Sequence, residues 1–563
     1  MFSSVYSGAI LGVHSYILQI ETDISDGLPT FTMVGFLSAQ VKEAGERVRV
    51  ALRSQGFHLP AKRITVNCMP ADLPKRGLIL DLPVAVSLLS CLGEIPDGEL
   101  GNLFLAGGLS LDGEVTPVRG VLPMVLEAKR AGLSRCILPA DNVKEGASVH
   151  GMTCIGVHSL ADVVRCLTLP PEEREKLYPP EPPVDEAALL RDNCWSDVPD
   201  FGDVRGQEGV KRGMEIAAAG FHNLLMVGPP GSGKSMMAKC LPGILPPLTP
   251  QESLEVSSIY SIAGELPKGQ SLITKRPFLA PHHTITPQAL TGGGSYPKPG
   301  SLSLAHRGVL FLDELPEFGR DNLNILRQPL EDHRIIVSRS TGNYEYPTRF
   351  MLVAAMNPCP CGYYPDREHC SCSESSILRY MQKVPGPILD RFDLCLDAPR
   401  VPVELLMEQP DGGSEKSAAI RERVLQARER QRLRFIKEDS LQFNADMSSA
   451  DVERYCALGR KEKLLIEDIF QKMNLSARAY HRILKVARTI ADLDMMQEIR
   501  EEHLMEAIGY RSADRGAPGK EGMVSGREAA RLSGHRSRTG KAGSPRSQAA
   551  LQSDREGGVH DAV

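Results

Sequence analysis

Three groups of residues in this chain carry chemistry by their types and spacing. Residues 228–235, GPPGSGKS, set Gly228, Pro229, Pro230, Gly231, Ser232 and Gly233 ahead of Lys234 and Ser235, fitting G-x-x-x-x-G-K-[ST]. A loop of this kind surrounds phosphates with backbone N–H groups, reaches the β and γ oxygens with its lysine, and places a hydroxyl on Mg²⁺. The expected ligands are therefore ATP and Mg²⁺. The apolar run in GVLFLDEL ends in Asp313 and Glu314. Asp313 suits a metal-bound water, and Glu314 suits the base that takes a proton from the attacking water. The next strand-like run, RFMLVAAMNP, ends in Asn357; its amide could hold that water beside the γ-phosphate, although an Asn before Pro is also a common turn former. The third group, CPCGYYPDREHCSC, spaces Cys359, Cys361, Cys370 and Cys372 as two C-x-C pairs with eight residues between them. Four thiolates gathered by a short turn make a tetrahedral S₄ site suited to structural Zn²⁺, with free thiols as the alternative, since the spacing is tighter than C-x₂-C.

These groups work only if regular elements hold them. LLMV at 224–227 reads as a buried strand and Met236 to Leu241 as the start of a helix, the strand-loop-helix setting a phosphate loop requires. Two later arginines, Arg391 in GPILDRFDLCL and Arg478 in LSARAYHRIL, are candidates for added positive charge at the γ-phosphate, where phosphoryl transfer concentrates negative charge. Either one in isolation reads more readily as a surface or ion-paired arginine. DHRIIVSRSTGNYEYPTRF alternates apolar and polar residues on both sides of STGN, a hairpin signal that carries Arg334 and Arg339. His282 and His283 lie in a proline-flanked segment; adjacent residues are expected to point to different sides, so no metal pair is read there.

A chain of 563 residues is too long for one core. Residues 1–168 alternate strand-like and helical segments; 169–199 are proline-rich linker; 200–400 alternate buried strands and helices in the manner of a doubly wound parallel α/β sheet; 401–511 turn helical. The tail 512–563 is rich in Gly, Ser and Arg, lacks Phe, Tyr and Trp, and is expected to be disordered. A net charge of −5 neither requires nor excludes nucleic acid. LILDLPVAVSLLSCLG is interrupted by Asp81 and Pro83 and reads as a core helix, so no membrane segment is expected. MFSSVYSGAI lacks the features of a signal peptide, which points to a cytoplasmic protein whose thirteen cysteines are free thiols or metal ligands.

With the phosphate loop, FLDE, AAMNP, ILDRFD and SARA together, residues 1–511 resemble the magnesium-chelatase-like AAA+ ATPases of the ComM/YifB family. The resemblance implies an α/β AAA+ P-loop core with a helical lid, preceded by a Lon-protease-like (ribosomal S5 domain 2-like) α+β domain. It makes Arg391 a finger supplied to a neighbouring subunit and Arg478 a phosphate contact from the lid, and it implies self-association into a ring, a hexamer. The four cysteines are similar to the family's pattern. RPFLAPHHTITPQALTGGGSYPKPGSLSLAHRG resembles the helix-2 insert of related motors, whose following hairpin enters the pore; Arg334 and Arg339 would there grip DNA phosphates without regard to sequence. In the Lon-like part the position of the catalytic serine falls at Ile79 and that of the lysine near Leu122, so no peptidase activity is expected. Nearby Arg47, Arg49, Lys75 and Arg76 form a basic DNA surface or an ordinary solvated face. The implied function is an ATP-driven motor on single-stranded or branched DNA, serving branch migration in recombination and natural transformation. The alternatives are a protein-remodelling ATPase and a chelatase-like metal-insertion motor.

Overall fold

The computed structural model describes residues 1–185, 189–190, 197–267, 269–294, 297–339, 342–402, 415–438, 441–473 and 475–511. The tail from Ser512, expected to be disordered, lies outside the described residues, as do parts of the expected linker.

The first region is built on a seven-stranded mixed sheet in the order Thr30–Val34, Arg63–Met69, His14–Ser25, Phe2–Leu11, Leu103–Leu105, Arg135–Pro139, Thr153–Val157. Alternation explains its first hairpin: Leu18, Ile20, Thr22 and Ile24 are buried while their neighbours are not, so one face turns to the core. On that face lies the helix Asp81–Cys91, all eleven of whose residues are buried. The apolar stretch read as a core helix is therefore one. Its charged member, Asp81, accepts two hydrogen bonds from Arg47, from Nε at 2.8 Å and Nη2 at 2.9 Å, the forked pairing that lets a carboxylate be buried.

The second region holds a five-stranded parallel sheet in the order Phe278–Leu279, Val309–Leu312, Met351–Met356, Leu224–Val227, Leu394–Asp397. Helices cover both faces, so its strands read as unbroken apolar runs such as VLFL and MLVAAM. Chain order reverses between the first strand, Leu224–Val227, and the fourth, Met351–Met356. Such a switch point opens a crevice at the carboxyl ends of the strands.

Residues 417–509 are helical, in the segments Ser417–Arg434, Ser449–Tyr455, Arg460–Met473, Ala477–Leu493 and Glu501–Gly509. They share one apolar core with the helix Glu208–Gly220 and the parallel sheet. Polar pins fix the seam: Gln431 Nε2 donates to Ala219 O at 2.9 Å, and the fully buried Asp492 accepts from Arg434 Nη1 at 2.8 Å and Asn444 Nδ2 at 2.9 Å. The first and second regions meet where the helix Pro250–Ala263 packs on Val121–Arg130. There Gly120 N donates to Ser261 O at 3.0 Å, and Ser261 Oγ donates to the buried Glu145, which also accepts from Leu122 N at 2.9 Å.

Candidate active site

Strand Leu224–Val227 delivers the chain to Gly228, where an added β-carbon would lie 2.1 Å from Ala398 O. Positive φ at Gly231 (75°) and Gly233 (84°) then turns the loop into the helix Lys234–Cys240. The loop closes on its own lysine: Lys234 Nζ donates to Gly228 O and Pro229 O, each at 2.8 Å, and lies 3.3 Å from Asn357 Oδ1. Burial lowers the pKa of this ammonium, while the Asp313 carboxylate pulls it the other way.

Ser235 Oγ donates to Asp313 Oδ2 at 2.5 Å. A hydroxyl and a carboxylate are the hard oxygen donors Mg²⁺ prefers, so the pair fits that ion. Lys234, Ser235, Asp313 and Asn357 thus gather at the carboxyl ends of three adjacent strands. Glu314 follows at φ 53°, a left-handed backbone that a residue with a β-carbon adopts at a cost. Its side chain is 61% exposed, and its carboxylate lies 3.5 Å from His283 Nδ1. Beside Glu314 and Asn357 opens a cleft of about 360 Å³, lined also by Pro360, Arg379, Tyr380 and Lys383.

The histidines depart from expectation. The rings of His282 and His283 lie 4.1 Å apart on one side, because the segment is a turn and the alternation of a strand does not apply. Among the described residues the groups able to hold a metal do not include them.

Arg391 lies at the other end of the sheet from the phosphate loop. Asn223 Nδ2 donates to Arg391 O at 3.0 Å, and Asn223 precedes the strand whose far end enters the loop. Four strand residues span about 13 Å, so the Arg391 backbone lies about that far from the start of its own chain's phosphate loop. The guanidinium is largely covered: Nη1 donates to Pro387 O at 2.6 Å and Nη2 pairs with Glu331. Arg478 is exposed in the first turn of Ala477–Leu493, and among the described residues no contact joins it to residues 228–235.

The four cysteine sulfurs lie within 4.8 Å of one another. Cys359 Sγ is 3.3 Å from Cys361 Sγ and 3.7 Å from Cys370 Sγ, and Cys361 Sγ is 3.5 Å from Cys370 Sγ. Zn–S bonds of about 2.3 Å in a tetrahedron place sulfurs about 3.8 Å apart, so the set fits Zn²⁺. Backbone N–H groups already serve the cluster, Gly362 N at 3.2 Å and Tyr364 N at 3.4 Å from Cys359 Sγ. The Cys361 thiol is brought down to about 6, first by a backbone hydrogen bond at Tyr363.

The hairpin exists as expected, Arg334–Arg339 pairing antiparallel with Gly342–Pro347; Ser340 and Thr341 of its turn lie outside the described residues. Arg339 is exposed near the tip, and Arg334 is paired across the hairpin with Glu345 at 3.3 Å. The basic surface expected on the first region is not assembled. Lys75 is fully buried with Nζ on Pro70 O, Arg47 is committed to Asp81, and Arg49 pairs with Glu46 at 3.4 Å and covers the Phe31 ring. Arg76 lies 5.7 Å from the ring centre of Tyr344, which is paired with Val337 midway along the hairpin. Ile79 and Leu122, at the Lon-like catalytic positions, are both buried.

Two contributors escaped the sequence reading. His283 gave no sign of facing Glu314. Gln207, at φ 62°, pins the loop by donating from Nε2 to Ser232 O at 3.1 Å and Pro399 O at 2.6 Å; a lone glutamine before a helix carries no such signal.

A phosphate loop at a sheet switch point, an Asp-Glu pair one strand beyond, an amide on the strand between and helices packed behind define a P-loop ATPase of the AAA+ class. Residues 200–406 match the family described as Magnesium chelatase, subunit ChlI; residues 20–142 match Subunit ChlI of Mg-chelatase, and 414–511 match its C-terminal part. The chain is 44% identical over 508 residues to Competence protein ComM of Haemophilus influenzae, covering 90% of this chain and 97% of that protein. It is 42% identical over 513 residues to YifB of Escherichia coli, an uncharacterized protein, covering 91% and 97%. A weaker likeness, 26% identity over 186 residues, joins 31% of the chain to 23% of Lon protease 1 of Syntrophobacter fumaroxidans. The chain belongs to the magnesium-chelatase-like ComM/YifB family, and that membership makes it an AAA+ ATPase.

Proposed function

We propose that this cytoplasmic ATPase assembles into a six-membered ring and spends ATP on moving branched DNA, as a branch-migration motor in recombination and DNA uptake. The observation that carries the reading is the placement of Arg391. A cation at the end of the sheet remote from its own phosphate loop is placed to serve the site of a neighbour, and sites shared head to tail in this way form a ring where the rotation closes. In that assembly Arg391 exchanges Glu331 for the γ-phosphate, and Arg478 reaches the same phosphate from the helices acting as a lid. Glu314 takes the proton of the attacking water, which Asn357 orients, while Lys234 neutralises the phosphates. Ser235 and Asp313 would hold Mg²⁺, which would supply positive charge to the bound phosphates. The exposed Arg339, and Arg334 once it leaves Glu345, grip DNA phosphates in the pore. A relative named as a competence protein supports the link to DNA uptake. The first region is not a peptidase, because Ile79 and Leu122 offer neither nucleophile nor base.

The test is ATP hydrolysis by the purified protein alone and with single-stranded, duplex and four-way-junction DNA, beside Glu314→Gln. Stimulation largest on the junction and absent in the variant is expected. A rate indifferent to DNA but raised by unfolded protein would overturn the DNA reading in favour of protein remodelling.

A further inference from the structure

The four-cysteine turn leans on the phosphate loop. Gly362, at φ 88°, lies so close to Pro230 that a β-carbon added to it would sit 2.4 Å from Pro230 Cδ and 2.8 Å from Pro230 Cγ. The turn fixes Gly362 by two bonds to one cysteine, its N–H lying 3.0 Å from Cys359 O and 3.2 Å from Cys359 Sγ. Pro360, inside the same turn, lines the cleft beside Glu314 and Asn357. Two residues before Cys359 stands Asn357, 3.3 Å from Lys234 Nζ. The sulfur cluster therefore reaches the ATP site at three points: the loop, the cleft and the amide.

The nature of the contact matters. Pro230 has a fixed φ and no rotamer to absorb pressure, so displacement of its ring is passed to the backbone of the loop. The loop's phosphate contacts are backbone N–H groups, and their aim follows that backbone. The turn in its place gathers four sulfurs within 4.8 Å of one another, a spacing that a tetrahedral divalent ion would close by taking them as thiolates.

We propose that the Cys359–Cys372 turn, closed by Zn²⁺, is a buttress for the phosphate loop, and that Gly362 is a positioning residue through which metal occupancy sets nucleotide affinity. The inference rests on residues 228–235 being the ATP site, which wild-type binding of a fluorescent ATP analogue checks separately. Gly362→Ala keeps all four ligands, so its zinc content stays at the wild-type level while its affinity for the analogue falls about tenfold, the scale on which supports just outside a site act. Removing zinc from the wild-type protein with a chelator lowers affinity by a similar factor, and adding Zn²⁺ back restores it. Unchanged affinity in zinc-loaded Gly362→Ala, or in zinc-free wild type whose circular dichroism shows it folded, overturns the buttress. A zinc-loaded wild type that binds no analogue overturns instead the reading of the loop.

Discussion

The two sheet-based regions of this chain treat polar groups in opposite ways. In the first region the positions expected to match the Lon serine and lysine hold no polar side chain, and the buried carboxylate beside Leu122 is committed to internal donors. Ile79 and Leu122 are packed apolar side chains, and the buried Glu145 spends its carboxylate on Leu122 N, Asn142 and Ser261. In the second region the groups at the strand ends hold partners that a ligand can replace. Lys234 donates to loop carbonyls, Ser235 to Asp313, and Glu314 stays largely exposed. Chemistry therefore follows from exchangeable partners at a crevice and not from the sheet beneath them.

Arg391→Ala would break the contrast most severely, because on the proposed reading it removes the charge that the second region would lend to a neighbour. Hydrolysis should fall about 10³-fold or more. Mixing it with Lys234→Ala should restore part of the rate, since one partner keeps the loop and the other the arginine; no recovery on mixing would refute action between subunits. Glu314→Gln should lower kcat by about 10²- to 10⁴-fold while a fluorescent ATP analogue binds as before, and weakened binding would show that Glu314 does more than accept a proton.

Where the first region meets the second, the effects are on stability. Ser261→Ala deprives buried Glu145 of a donor and should cost about 1–3 kcal/mol in a urea melt. Burial pushes the Glu145 carboxyl up, while hydrogen bonds from Ser261, Leu122 N and Asn142 pull it down less strongly. A folded pKa above the unfolded one means that its contribution is full in acid and is lost as pH rises from the ordinary glutamate range through the raised value. Glu145→Gln should therefore flatten the decline in stability between mildly acidic and mildly alkaline buffer, and an unaltered slope would exclude Glu145 as its source. The smallest change is Arg76→Ala, which removes the cation over Tyr344 and should cost about 0.5–1 kcal/mol in the same assay.

Local pattern made the ATP site readable in sequence. A strand buried on both faces shows as an apolar run, so LLMV, VLFL and MLVAAM announced where Gly228, Asp313 and Asn357 would emerge. The helix Asp81–Cys91 and the hairpin from Arg334 were legible for the same reason, since their periods lie within one segment. Pairings between segments were not. His283 reaches Glu314 from a turn, Gln207 crosses to Pro399, and Arg334 finds Glu345 only because the hairpin register sets them diagonally across the two strands. Lys75 misled most, because lysine is rarely buried and the sequence does not advertise Pro70 O as its acceptor.

The shared core of the helix Glu208–Gly220 and the C-terminal helices has a consequence for biosynthesis. Val210, Met214 and Ala217 belong to one core with residues as distant as Leu504 and Ile508, so the ribosome releases one side of this core long before the last of the other exists. At about 5–20 residues per second, the interval of nearly 300 residues lasts roughly 15–60 s. Until then the part of that core which the last helices close stays open to water, a natural client for a chaperone waiting at the exit tunnel.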